Sequence, residues 1–195
     1  MRVAEREAQK YAKIWATDSY GDVSPGAKHV PLFLGMIGDP PYGKDINPFF
    51  GRLIDIGAGD GQASRLLADH GFEVTAFDLS DEWFPSGSDI PILTGCLWEG
   101  VPMGTLNSYT YGYCCDVMEH LPTEYVGLSV RNIMNACQTT FFSVGFCPDV
   151  HGKVINETLH LTVKPFVWWR DLFRELGTLL EARDMMGEGV FLLGR

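Results

Sequence analysis

The stretch Leu53-Ile54-Asp55-Ile56-Gly57-Ala58-Gly59-Asp60-Gly61 constrains this chain more than any other. Leu53 to Ile56 is a short, partly β-branched run of the kind buried inside a parallel sheet. Three glycines follow at alternate positions, and Gln62 to His70 then reads as a helix with Ala63, Leu66 and Leu67 on its buried face. Gly71 stands where a helix commonly ends on glycine. Strand, glycine turn and helix form the unit by which an α/β protein brings backbone N–H groups and a helix N-terminus against a bound cofactor. The spacing is G-x-G-x-G, not the G-x-G-x-x-G of dinucleotide binders, and Asp55 adds an acid near the strand's end.

A second acid lies in register. Phe72 to Phe77 reads as the next strand and runs into Asp78-Leu79-Ser80. Asp78 falls about 20 residues beyond the first acid, the place of the carboxylate that holds ribose hydroxyls in nucleoside-binding α/β domains. Ile90 to Thr94 reads as a third strand, Tyr109 to Cys115 as a fourth and Thr139 to Phe146 as a fifth. Thr123 offers an N-cap for a helix reaching to about Cys137. Pro165 opens another, on which Trp169, Leu172, Phe173 and Leu176 recur at helical spacing, so Trp169 is assigned to the core. Leu179 to Met186 and Val190 to Leu193, joined through Gly187-Glu188-Gly189, read as an antiparallel hairpin.

A chain of 195 residues is enough for one α/β domain with an ordinary core. The formal net charge of −10, with no long run of Lys or Arg, argues against a broad grip on nucleic-acid phosphates. Cys96, Cys114, Cys115, Cys137 and Cys147 form no C-x-x-C pair, and their apolar neighbours point to buried thiols in a reducing compartment. The first fifteen residues are charged throughout, and no apolar run approaches the roughly 20 residues that span a bilayer, so a cytoplasmic location is expected.

Taken together, D-I-G-A-G-D-G, the helix behind it and the strand ending in D-L-S resemble the class I S-adenosylmethionine-dependent methyltransferases. Asp116-Val117-Met118-Glu119-His120-Leu121-Pro122 is similar to the run after the fourth strand in many small-molecule members, of the type 11 and type 12 kind. The resemblance covers about residues 53–195. It implies a Rossmann-like α/β sheet of seven strands, mostly parallel, with an antiparallel C-terminal hairpin and helices on both faces. S-adenosylmethionine is the cofactor it implies. Asp55, Gly57, Ala58, Gly59 and Gly61 would meet the methionine end, Asp78 and Leu79 the ribose, and Cys96, Leu97 and Cys115 would complete the pocket. Where the family often places an acid to accept from the adenine amino group, this chain has Gly95-Cys96-Leu97, so adenine recognition would rest on backbone groups, Leu97 and Trp98.

Residues 1–52 form an N-terminal helical or lid segment outside those motifs. Arg2 to Trp15 reads as an amphipathic helix with Ala4, Ala8, Tyr11 and Trp15 on one stripe and Lys10 elsewhere. Val30 to Ile37 is apolar but too short to classify. Trp15, Tyr20 and the Ser24-Pro25-Gly26 loop are the lid and substrate candidates. Asp39-Pro40-Pro41-Tyr42 matches, letter for letter, a motif of enzymes that methylate base amino groups. It stands too close to Leu53 for the crossover of a dozen or more residues that a preceding parallel strand needs, and it reads as a Pro-rich linker.

The expected activity is in-line transfer of the methyl group from S-adenosylmethionine to an acceptor, taken as a small molecule, without metal, since no ligand-type cluster is visible in the sequence. His120 and His160, with Lys164 behind them, are the candidate bases. The alternatives are a catalytically inactive S-adenosylmethionine-binding protein, a nucleic-acid base methyltransferase and, against the glycine spacing, a nicotinamide oxidoreductase.

Overall fold

The computed structural model describes residues 2–17, 24–38, 51–100 and 108–195. Seven strands form one sheet: β1 (Arg52–Ile56), β2 (Glu73–Asp78), β3 (Ile92–Thr94), β4 (Tyr109–Cys115), β5 (Cys137–Gly145), β6 (Thr178–Met185) and β7 (Glu188–Gly194). Their spatial order is β3-β2-β1-β4-β5-β7-β6. The first five strands pair parallel, and β7 inserts antiparallel between β5 and β6. The helices are α1 (Val3–Trp15), α2 (Pro25–Ile37), α3 (Gln62–Asp69), α4 (Thr123–Ala136) and α5 (Phe166–Leu176).

Two apolar layers sandwich the sheet, and the period-two alternation of strand side chains assigns residues to each. Ile54, Ile56, Cys114, Phe142, Phe191 and Leu193 face the layer that α4 and α5 cover with Val130, Ile133, Trp169 and Phe173. Leu53, Tyr113, Phe141, Val190 and Leu192 face the other layer, with Val30 and Phe33 from α2 and Ala63 and Leu67 from α3. Trp169 is fully buried, as its spacing predicts.

Three expectations shift. On α3 the buried face is Ala63, Ser64 and Leu67, while Leu66 is exposed. Ser64 is inside because its hydroxyl donates to Asp55 Oδ2 at 2.6 Å. The stretch from Val30 is the end of α2, whose N-cap is Ser24: Ser24 Oγ accepts from the Ala27 N–H, and Pro25 fills the first helical position. The Ser24-Pro25-Gly26 segment is a helix start and not a loop, pinned by a hydrogen bond from the Tyr113 hydroxyl to the Gly26 carbonyl at 2.6 Å, and all three residues line the cavity at the end of β1. On α1 the buried residues are Glu7, Lys10 and Ile14. Lys10 is buried because it ion-pairs with Glu7 and donates to the Thr158 carbonyl at 3.1 Å.

The C-terminal hairpin is tighter than G-E-G implies. Glu188 already pairs with Met185, so the turn is Met186-Gly187 alone, with φ of 32° and 101°. Positive φ at both positions is the type I′ pattern of a two-residue hairpin, which suits Gly187 and costs Met186. Of the cysteines, Cys147 is exposed, against expectation, because β5 has ended before it; the other four are buried, and none forms a disulfide. Among the described residues, no helix is long and apolar enough to cross a membrane.

Two stability outcomes follow. Phe33 is fully buried among Phe72, Tyr111, Tyr113 and Phe141, with ring centroids 5.3–5.8 Å away. Phe33→Ala should destabilise the protein by about 3–5 kcal/mol in denaturant unfolding. Met186 is fully exposed and packs on nothing that would be lost. Met186→Asn, which tolerates the left-handed region, should raise stability by up to about 1 kcal/mol; a fall in the denaturation midpoint would count against the turn assignment.

Candidate functional site

β1 lies between β2 and β4, so the connections on its two sides leave for opposite faces of the sheet and a crevice opens at its C-terminal end. A cavity of about 460 Å³ fills that place. Its floor is Asp55, Gly57, Ala58 and Gly59, its sides include Asp78, Leu79, Leu97 and Cys115, and α1 adds Glu7, Tyr11 and Trp15.

The glycine turn works differently from a row of waiting donors. Gly57 N–H and Ala58 N–H both bond the Phe77 carbonyl, at 2.8 and 3.2 Å, and Gly61 N–H bonds the Ala58 carbonyl. Gly59 N–H donates to Asp78 Oδ2 at 2.9 Å, while Leu79 N–H donates to Asp78 Oδ1 at 2.7 Å. What the glycines supply is close approach. A Cβ on Gly57 would sit inside the Val117 side chain, and one on Gly59, where φ is 53°, would stand 2.8 Å from the Trp15 indole. Gly61 does not line the cavity; a side chain there would strike Phe84 at 2.6 Å.

The first turn of α3 is served from within the chain. Asp60 Oδ1 accepts from Gln62 N–H at 3.1 Å, and Asp55 is held by Ser64. Asp55 is 3 % exposed, and burial pushes its carboxyl up to about 7, the Ser64 hydrogen bond working against that and the Asp78 charge adding to it. Asp78 is likewise pushed up by burial, with its backbone donors opposing.

Cys96 is buried away from the cavity, so at that position Gly95, Leu97 and Trp98 form the wall. Trp98 is braced by a stack on Tyr125, centroids 4.9 Å apart. Trp15 lies over the glycine turn and stacks on Trp83 with centroids 6.0 Å apart. Tyr20 and the Asp39-Pro40-Pro41-Tyr42 stretch lie outside the described residues. Lys164 is not in the cavity wall; it lies over the Trp168 ring.

The other flank of the cavity is Asp116, Val117, His120 and Leu121. Asp116 ends β4 with φ of 58°, a left-handed backbone uncommon for a non-glycine residue, and its N–H bonds the Ser143 carbonyl at 3.0 Å. His120 sits on a single 3₁₀ turn, Met118–His120, with Nδ1 2.6 Å from the Tyr11 hydroxyl and Nε2 3.7 Å from Asp116 Oδ2. Burial alone would depress His120, but the hydrogen bond and charge of Asp116, with Glu119 behind, raise it. Burial would lift Asp116, yet His120 and His160 hold it below the usual carboxylate range. Glu119 is fully buried and is pushed up to about 8 by burial and then by the Asp116 charge.

His160 does not line the cavity, but its ring meets His120 edge-on with centroids 4.6 Å apart. The sequence shows no ligand-type cluster because His160 follows a long loop; the fold nonetheless brings one ligating atom each from Asp116, His120 and His160 within 4.8 Å of one another. Tyr11 and Asp116 are the cavity residues that the sequence leaves without a role, whereas Trp98 stands in the wall beside Leu97 as the resemblance implies. The D-x-x-x-H spacing after β4 was the available signal for Asp116.

No family model and no curated protein matches the sequence. Many solved structures share the fold. The PH0226 protein of Pyrococcus horikoshii OT3 is 14% identical, with a TM-score of 0.70 over 94% of this chain and 98% of that one. The 1,6-didemethyltoxoflavin-N1-methyltransferase of Burkholderia thailandensis, solved with 1,6-didemethyltoxoflavin and S-adenosylhomocysteine, is 12% identical, with a TM-score of 0.68 over 100% of this chain and 91% of that one. The magnesium protoporphyrin IX methyltransferase of Synechocystis PCC 6803, with bound S-adenosylhomocysteine, is 17% identical, with a TM-score of 0.60 over 98% of this chain and 95% of that one. The chain thus carries the seven-stranded Rossmann-like fold of the class I S-adenosylmethionine-dependent methyltransferases.

Proposed function

We propose that this protein transfers a methyl group from S-adenosylmethionine to a small-molecule acceptor. The observation that carries the reading is the Asp78 carboxylate, fixed by the Gly59 and Leu79 N–H groups beside a glycine turn too close-packed for side chains. Each carboxylate oxygen keeps a lone pair for a ribose hydroxyl. In this reading Leu97 and Trp98 flank the adenine, Asp78 and Leu79 take the ribose, and Asp55 with Gly57 to Gly59 receives the methionine end.

The sulfonium is already an electrophile, so the donor itself needs no metal. The protein's task is to align a nucleophile with the S–CH3 bond and to keep water out. Trp15, Val117, Leu121 and Trp98 give the cavity apolar walls suited to that. Acceptor activation falls to Asp116 and His120, the paired ionisable groups on the flank beside Val117. The acidic net charge, −10, favours a small acceptor over a nucleic acid. Incubation with labelled S-adenosylmethionine and fractionated extract tests this directly. Label in small molecules is the expected result, label in nucleic acid would move the assignment to a base methyltransferase, and cofactor binding with no transfer would leave a binding protein.

Asp78→Ala should weaken S-adenosylhomocysteine binding by about 1.5–3 kcal/mol, roughly 10- to 150-fold, in calorimetry. Asp39→Ala is the matched control and should leave affinity and turnover unchanged; lost turnover with intact affinity would restore the D-P-P-Y stretch as a functional motif. Gly59→Val should abolish binding up to about 1 mM ligand while the far-UV circular dichroism is kept, because the new side chain meets Trp15 and fills the approach to the turn. Undiminished affinity in Gly59→Val would place the cofactor elsewhere.

A further inference from the structure

Asp116, His120 and His160 use a part of the site that donor binding leaves unexplained. Both imidazoles are held from behind. The Nδ1 of His120 is 2.6 Å from the Tyr11 hydroxyl, and the Nδ1 of His160 is 2.6 Å from the Cys147 carbonyl. That leaves Nε2 as the coordinating atom of each ring, the arrangement in which metal-ligating histidines are oriented by a second hydrogen bond.

The loop that delivers His160 is itself fixed. Asp149 accepts from Gly152 N–H at 2.6 Å and Leu159 N–H at 2.9 Å. Thr162 N–H bonds the Glu119 carbonyl at 2.8 Å, and Thr162 Oγ1 donates to the Leu121 carbonyl at 2.7 Å. The segment after β5 is thereby tied to the turn that carries His120. Behind the three groups, Glu119 Oε1 accepts from the Gly145 N–H, while its Oε2 is buried with no hydrogen-bond partner.

We propose that Asp116, His120 and His160 bind a divalent first-row transition-metal ion beside the methyl-transfer cavity, and that the acceptor is an oxygen nucleophile ligated by that ion. Two imidazoles and one carboxylate favour Mn²⁺, Fe²⁺, Co²⁺ or Zn²⁺ over Mg²⁺ and Ca²⁺, which take oxygen ligands. Ligands about 2.1 Å from one ion lie roughly 3–3.4 Å apart, so the three ligating atoms, which lie within 4.8 Å of one another, draw together on binding. Three protein ligands leave open positions, and Asp116 and His120 face the cavity, so an acceptor hydroxyl entering from it can fill one. Ligation lowers that hydroxyl's pKa and the proton leaves to solvent. The oxygen then forms the O–CH3 bond as the S–CH3 bond breaks, and the sulfonium departs as neutral S-adenosylhomocysteine. With an ion bound, His120 is a ligand and no longer a proton acceptor.

This inference rests on the methyltransferase reading, and the test separates the two. The full chain, stripped with EDTA, is titrated with Co²⁺ and followed by visible absorption, with S-adenosylhomocysteine affinity measured in parallel. The expected result is about one equivalent of Co²⁺, weakened at least about 10-fold in both His160→Ala and Asp116→Asn, with S-adenosylhomocysteine affinity kept in His160→Ala. Absence of a visible band in the wild-type protein up to about 1 mM Co²⁺, or the same band in both variants, would overturn the cation site and leave the methyltransferase reading standing. Stoichiometric Co²⁺ binding by a wild-type protein that takes up no S-adenosylhomocysteine would keep the ion and overturn its role on the acceptor.

Discussion

Everything in this molecule depends on β1 being flanked by β2 on one side and β4 on the other, all three parallel. Crossovers from such a strand go to opposite faces, and the end between them cannot be roofed by either. The gap is kept open by backbone, because side chains at Gly57 and Gly59 would meet Val117 and Trp15. It is kept in shape by the Gly59–Asp78 hydrogen bond, which ties the turn after β1 to the end of β2. In the proposed function, donor recognition and sheet assembly therefore share one contact. On the proposed reading, losing the Asp78 carboxylate would remove a ribose acceptor and a brace of the turn together.

The two N-terminal helices are attached by different physics. α2 docks through Val30 and Phe33 in an aromatic layer, and His29 adds bonds to Ser143 at 3.1 Å and Glu188 at 3.2 Å. α1 buries Ile14 and is joined to the rest by the Lys10–Thr158 bond, the Tyr11–His120 bond and the Trp15–Trp83 stack, the Glu7–Lys10 pair lying within the helix itself. A buried ion pair returns little net stability once desolvation is counted, whereas aromatic burial returns several kcal/mol. α2 is hence part of the core. α1, which carries Trp15 across the glycine turn, is held by polar contacts and a single aromatic stack around one fully buried aliphatic side chain, Ile14.

Much of the fold was legible because its signals are local. The strand-turn-helix at residues 53–70, the acid ending β2, the aromatic run of β4 and the C-terminal hairpin each occupy one continuous stretch, and alternation or glycine placement is enough to see them. The misreadings have one cause. Lys10 was placed outside because a charge usually is, and its partners Glu7 and Thr158 decided otherwise. Leu66 was placed inside on helical spacing, but Asp55 at the strand end pulls Ser64 into that face. Cys147 was read as buried from apolar neighbours that stand on a strand already finished. Tertiary partners overrode local character at Lys10 and Leu66, and the end of β5 did so at Cys147.

The same distinction divides the site. The half proposed for the donor is made from residues 55–59 and 78–79, two short segments on adjacent strands, and its geometry follows once the sheet is granted. The half proposed for the acceptor joins Tyr11 of α1, Asp116 and His120 after β4, and His160 beyond β5. No periodicity links those positions, since each is set by a different loop closing on the same crevice. A chain can thus announce its donor pocket in a dozen residues and keep its acceptor chemistry in contacts that only the folded molecule brings together. Asp116 marks the boundary between the halves: its backbone is held in the left-handed region by the Ser143 carbonyl at the strand end, and its carboxylate faces the two imidazoles. Such a conformation costs about 1–2 kcal/mol and persists only where the surroundings over-determine it. The side chain's place beside His120 is what that cost secures.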